Sequence, residues 1–166
     1  MPTFDGKTPV EWSRGLADSE RARYGAALEF EGAPKARWDY TTALLSQSLL
    51  DLATHDENAD LRDYAERMVS TFVAPDGEIR TYRKTDYNID MIPPGKVLLR
   101  LWERTREERF KVAADALREQ LEHHPRTSEG GFWHKQRYPN QMWLDGLFMA
   151  APFYAHYGIL FNEPRD

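Results

Sequence analysis

Two aspartates stand out by their company. Asp145 follows Gln141 and Trp143 and opens a long apolar run: Leu147, Phe148, Met149, Ala150, Ala151, Phe153, Tyr154. Asp90 follows Tyr87 and Asn88. An ionised carboxylate against apolar surface is costly unless it has a partner or a task. Each aspartate also lies beside a predicted helix start, where a carboxylate gains ~0.3–1 kcal/mol. Two readings therefore stand side by side. Both are local helix caps, or they face each other across a cleft, one moving a proton and the other binding or tuning it.

Other residues could serve such a cleft. His134-Lys135 is either a surface pair in a loop or a recognition element for an anionic or hydroxyl-rich ligand. Lysine supplies charge there, and histidine donates or accepts. Trp38 and Tyr40 point to one side if their segment is extended. They form either a stacking platform for a sugar ring or a wedge in the core. Gln141 and Trp143 complete the candidate ligand contacts. Metal chemistry has no support: there is no cysteine, His123 and His124 are adjacent, and His55, His134 and His156 show no ligand spacing. No glycine-rich phosphate loop or nucleophile elbow is present.

The elements that must position these residues are helical. Thr8-Pro9-Val10-Glu11 carries a capping box and predicts a helix to about Tyr24. A loop with Gly32 and Pro34 follows. Asp39 caps a second helix from Tyr40 to about Thr54, with Leu45, Leu49 and Leu52 on one stripe. Leu61, Tyr64, Ala65, Met68, Val69 and Phe72 make a third. Pro75-Asp76-Gly77 ends it, and Ile79 to Tyr82 reads as a short extended stretch. A fourth helix follows Pro93-Pro94-Gly95 with Val97, Leu98, Leu101 and Trp102. Thr105-Arg106-Glu107-Glu108 predicts a second capping box ahead of a fifth helix carrying Phe110, Ala113, Ala114, Leu117 and Leu121. A sixth runs from near Asn140 to about Phe161, apolar nearly all round, as an inner, buried helix would be. The prediction is all-α: six helices in three sequential pairs, one domain over 1–166.

Composition sets the outer limits. The chain has 166 residues, 41% hydrophobic and 30% charged, enough for one domain with a core. A net charge of −5 with no basic tract argues against nucleic acid. No segment could span a membrane, and the start has no charged-then-apolar signal pattern, so a cytoplasmic location is expected.

Taken together, these blocks resemble the N-terminal half of glycoside hydrolase family 105, the unsaturated rhamnogalacturonyl hydrolases, related to the family 88 unsaturated glucuronyl hydrolases. The matching stretches are Trp38-Asp39-Tyr40-Thr41-Thr42, Tyr87-Asn88-Ile89-Asp90 with Pro94-Gly95-Lys96, and Thr127 through Lys135 continuing over Tyr138 to Gly146. The resemblance implies a toroid of helical hairpins, (α/α)6. It implies removal of a 4,5-unsaturated uronic acid from the non-reducing end of oligosaccharides left by polysaccharide lyases. Asp145 falls on the general acid/base and Asp90 on the second acidic residue. Tyr40 and His134 fall on sugar-contacting positions, with Trp38 and Lys135 nearby. The implied chemistry is hydration of a vinyl ether, not acetal hydrolysis between two carboxylates. It requires an aspartic acid in its protonated form within a dry aromatic site, and no metal or organic cofactor.

The resemblance stops at half a ring, six helices of twelve. An open half leaves inner-helix surface exposed, which marks an interface or an aggregation risk. The expected partners are an unsaturated uronyl oligosaccharide and either a second copy or a C-terminal half. The competing expectation is a truncated, non-catalytic helical module that binds carbohydrate or a partner.

Overall fold

The computed structural model describes residues 3–25 and 37–163, so the expected loop with Gly32 and Pro34 lies outside the described residues. Among the described residues the regular elements are all helical. The α-helices are α1 (Pro9–Tyr24), α2 (Tyr40–His55), α3 (Ala59–Ser70), α4 (Gly95–Thr105), α5 (Glu108–His123), α6 (Gly146–Met149) and α7 (Ala151–Phe161). Two 3-10 turns, Lys84–Asp86 and Ile89–Met91, lie in the α3–α4 connection.

Local chemistry sets most of the boundaries. Thr8 and Glu11 form the predicted capping box on α1, each bonding the other's backbone N–H. Asp39 caps α2 by accepting from the backbone of Thr41 and Thr42. Asn58 caps α3 through the backbone N–H of Leu61. The second predicted capping box does not form. Thr105 instead closes α4: its hydroxyl donates to the Leu101 carbonyl and Arg106 turns left-handed at φ 58°. With Arg106 outside both helices, α5 starts at Glu108 without a side-chain cap.

The helices pack as an arc with α4 at its middle. Helix α4 touches α2 and α3 on one side and α5 and α7 on the other. That position explains its burial: Gly95 through Leu99 and Leu101 are all inside. Leu98, Leu99 and Leu101 each contribute ~1.5–3 kcal/mol by leaving water. Ion pairs stitch the layers at their rims. Arg14 holds Asp56 at 2.7 Å, joining α1 to the end of α2, and Arg100 holds Asp51 at 3.0 Å, joining α4 to α2. Arg104 grips buried Glu66 with two guanidinium nitrogens, joining α4 to α3.

The sixth predicted helix is corrected in two respects. It does not start near Asn140: residues 140–145 are turn, and the helix breaks at Ala150 between α6 and α7. Pro152 accounts for the break, because it has no N–H for the bond that would run back across Ala150. Nor is it buried all round. Phe153 and Tyr157 face inward, but Ile159 is 82% exposed and Leu147 62%. At the other end of the arc, Leu16 and Leu44 are exposed along a groove of about 840 Å³ between α1 and α2. Both ends of the arc therefore present apolar faces.

Candidate active site

Two loops meet beside the start of α6 and bring the candidates together. Asn88 and Lys135 pair as an isolated antiparallel bridge. The Ile89 N–H donates to the His134 carbonyl at 3.2 Å, and the Gln136 N–H to that of Tyr87 at 3.2 Å. Tyr87 sits at φ 39°, a left-handed conformation a bulky residue adopts only when its surroundings impose it. The Asn88 side chain accepts from the Asp90 N–H at 3.0 Å and sets the turn that aims Asp90.

His134 is the hub. It is 1% exposed, with Nε2 3.2 Å from Asp90 Oδ1 and Nδ1 3.9 Å from Asp145 Oδ1. The Lys135 ammonium lies 2.5 Å from Asp90 Oδ2. Trp143 stacks on the imidazole at 4.0 Å and 13°, and Tyr138 stacks on Trp143 at 5.6 Å. Burial holds the His134 pKa below its ordinary value, against the opposing pull of Asp90 and Asp145. The imidazole Nε2 faces Asp90, and Nδ1 is buried with no hydrogen-bond partner.

Neither aspartate makes a side-chain capping bond, so the purely local reading does not account for where their carboxylates lie. Asp145 stands at the start of α6 but makes no capping bond, and Asp90 spends its oxygens on His134 and Lys135. The dry surroundings expected for Asp145 are not closed by the described residues, since its side chain is 50% exposed.

The remaining candidates divide. The Gln141 carbonyl accepts from the His134 N–H at 2.7 Å, and its side chain accepts from the Trp143 indole at 3.2 Å, so Gln141 orients both rings. Trp38 is 1% exposed and its indole N–H donates to the Met91 carbonyl at 2.8 Å. It is the core wedge, holding the turn that carries Asp90, and has no face to offer a sugar. Tyr40 is 40% exposed and lines the groove between α1 and α2, outside the Asp90–His134–Asp145 cluster.

Three residues behind the site went unrecognised in the sequence. His124 Nε2–H donates to the Trp133 carbonyl at 2.8 Å, and its Nδ1 faces the Gln120 amide at 3.3 Å. That amide also donates to the Asn88 carbonyl at 3.3 Å, while Gln120 Oε1 accepts from the Tyr82 hydroxyl at 2.8 Å. One network thus pins the residue before His134 and a residue close to Asp90. A polar Gln120 beside Leu117 and Leu121 on an apolar stripe was the available signal.

Burial lowers the His124 pKa to about 4. The unfolded chain takes up a proton near 6.5 and the folded chain does not until about 4, so this contribution is complete above pH 6.5 and lost as pH falls to 4. The loss is on the order of 2 kcal/mol after allowing for solvent screening. Urea unfolding at pH 7.5 and 4.5 is expected to show a smaller acid loss for His124→Gln than for the parent chain. Equal losses would remove His124 as the cause.

Asp90, His134 and Asp145 each bring one ligand atom within 4.8 Å of the others, the grouping among the described residues able to hold a cation. Any cation there would lie against the Lys135 ammonium, a poor neighbour for a metal.

Similarity to known proteins identifies the fold and the family. The glycoside hydrolase from family 105 of C. acetobutylicum ATCC 824 superposes with a TM-score of 0.80 at 36% sequence identity. The match covers 92% of this chain and 40% of that one, so the chain spans well under half the length of that relative. The arc of helices is accordingly part of an (α/α)6 toroid. Residues 12–166 match the model of Glycosyl Hydrolase Family 88, and to that family, a family of glycosidases, the chain belongs.

Proposed function

We propose that the chain is the catalytic part of a hydrolase that removes a 4,5-unsaturated uronic acid from the non-reducing end of lyase-generated oligosaccharides. The observation that carries this reading is the buried imidazole between two carboxylates, with Nδ1, which has no hydrogen-bond partner, 3.9 Å from Asp145. The reaction needs a proton donor beside the sugar, and Asp145 is the half-exposed carboxyl group next to this imidazole.

In this reading the Asp145 O–H gives its proton to C4 of the C4=C5 bond, and positive charge develops at C5 and the ring oxygen. Water adds to C5, and the Asp145 carboxylate takes the proton that water loses. The C5 hemiketal opens to a ketone, and the hemiacetal left at C1 expels the remaining saccharide. Asp90, paired with Lys135, holds the His134 ring in place through Nε2. Trp143, 42% exposed, offers ring surface beside the reacting sugar. The rest of the cleft wall would come from hairpins packed on the two exposed ends of the arc, on a second copy or on further chain.

Incubation with an unsaturated uronyl disaccharide is expected to bleach the ultraviolet absorbance of the conjugated double bond, with the molecular mass measured on the same sample. Saturable saccharide binding by folded protein, without bleaching of several uronyl substrates, would overturn the hydrolase in favour of a binding module.

A further inference from the structure

A second pocket, of about 310 Å³, shares Lys135 with the Asp90–Lys135 pair. Arg83, Asp86, Asn88, Lys135, Gln136 and Arg137 line it. Three of these are cations and one is an anion, in a chain whose net charge is −5, so the positive field is local. Arg83 is partly neutralised by Asp86 at 3.2 Å, and Lys135 by Asp90. Arg137 has no carboxylate partner among the described residues; its guanidinium lies 4.8 Å over the Tyr138 ring. The walls are held by the site's own framework. The Asn88–Lys135 bridge joins two of the lining residues, the Gln136 N–H is fixed on Tyr87, and the Tyr138 N–H on the Lys135 carbonyl at 2.9 Å.

We propose that this pocket is an anion subsite for the substrate: it takes a carboxylate or sulfate group on a saccharide unit next to the one processed at Asp145, with Arg137 as the main contact. The proposal rests on the uronyl-hydrolase reading. A planar guanidinium matches both oxyanions with two parallel hydrogen bonds, and an arginine without an internal carboxylate is free to make them. Lys135 reaches both the pocket and Asp90, so an anion bound here touches the framework that orients His134. Solvated arginines on an ordinary surface would give no preference among saccharides.

Calorimetric titration tests it with three saccharides: an unsaturated disaccharide with a neutral leaving sugar, the same compound sulfated, and a trisaccharide with a second uronate. The parent chain is expected to bind one or both anionic compounds about tenfold more tightly than the neutral one. Which of them gains identifies sulfate or carboxylate. Arg137→Gln should bring that ratio close to one, and Arg137→Lys should leave an intermediate ratio because it keeps charge but not the fork. Inorganic sulfate should compete with the anionic saccharide in the parent chain and not in Arg137→Gln. No preference in the parent chain, or one that Arg137→Gln leaves intact, overturns the subsite. Turnover without a preference then leaves the hydrolase standing and the subsite gone; a preference lost in Arg137→Gln, without turnover of any compound, leaves the subsite and removes the hydrolase.

Discussion

Asp145→Asn is expected to lower turnover of an unsaturated uronyl disaccharide by roughly 10²- to 10⁴-fold, the usual contribution of a positioned general acid. Asparagine keeps the shape but has no acidic proton to give C4 and cannot take one back from water. The fold should not notice. Asp145 has a half-exposed side chain, no capping bond, and only a 3.9 Å approach to His134. Circular dichroism and the urea midpoint should therefore match those of the parent chain. Asp90→Asn is a less clean experiment, because it leaves the Lys135 ammonium, whose side chain is 16% exposed, without its counter-charge. Activity in Asp145→Asn within tenfold of the parent would sink the assignment, and the proton would then have to come from elsewhere in the cleft.

The helices were legible where their signals are local. The Thr8–Glu11 box and the Asp39 cap involve residues three or fewer apart, and both form. The Thr105 box failed because one sequence can serve two helix ends: Thr105 was taken by the end of α4 before α5 could use it. Pro152 was visible too, but the apolar run around it gave no periodicity against which to place a break.

The candidate site was legible in its residue types and not in its wiring. His134 and Lys135 are neighbours in sequence yet divide their work: His134 bridges both aspartates and Lys135 neutralises one of them. That division depends on the Asn88–Lys135 bridge, a contact between distant loops that no spacing rule reaches. Trp38 read equally well as platform or wedge, and only burial separates the two.

Phe153→Ala is expected to destabilise the chain by ~3–5 kcal/mol, a large share of the stability of a domain this size. Phe153 is fully buried on α7 and packs straight onto the backbone of α4. A Cβ added at Gly95 would lie 2.6 Å from its ring and 2.9 Å from Leu117 Cδ1, so the glycine is the hollow into which the ring fits. Truncating the ring leaves a void bounded by helix backbone, which cannot collapse to fill it. Because α7 continues from α6, loosening it also loosens Asp145, and activity should fall with stability. Gly95→Ala alone should destabilise as well, since the new methyl meets the ring. In Phe153→Ala the ring contact is gone and only the end of Leu117 still meets the new methyl. The double variant should therefore lose less stability than the sum of the two single variants by urea unfolding. Simple addition of the two losses would mean that ring and glycine are not in contact, and that α7 is held to α4 by other residues.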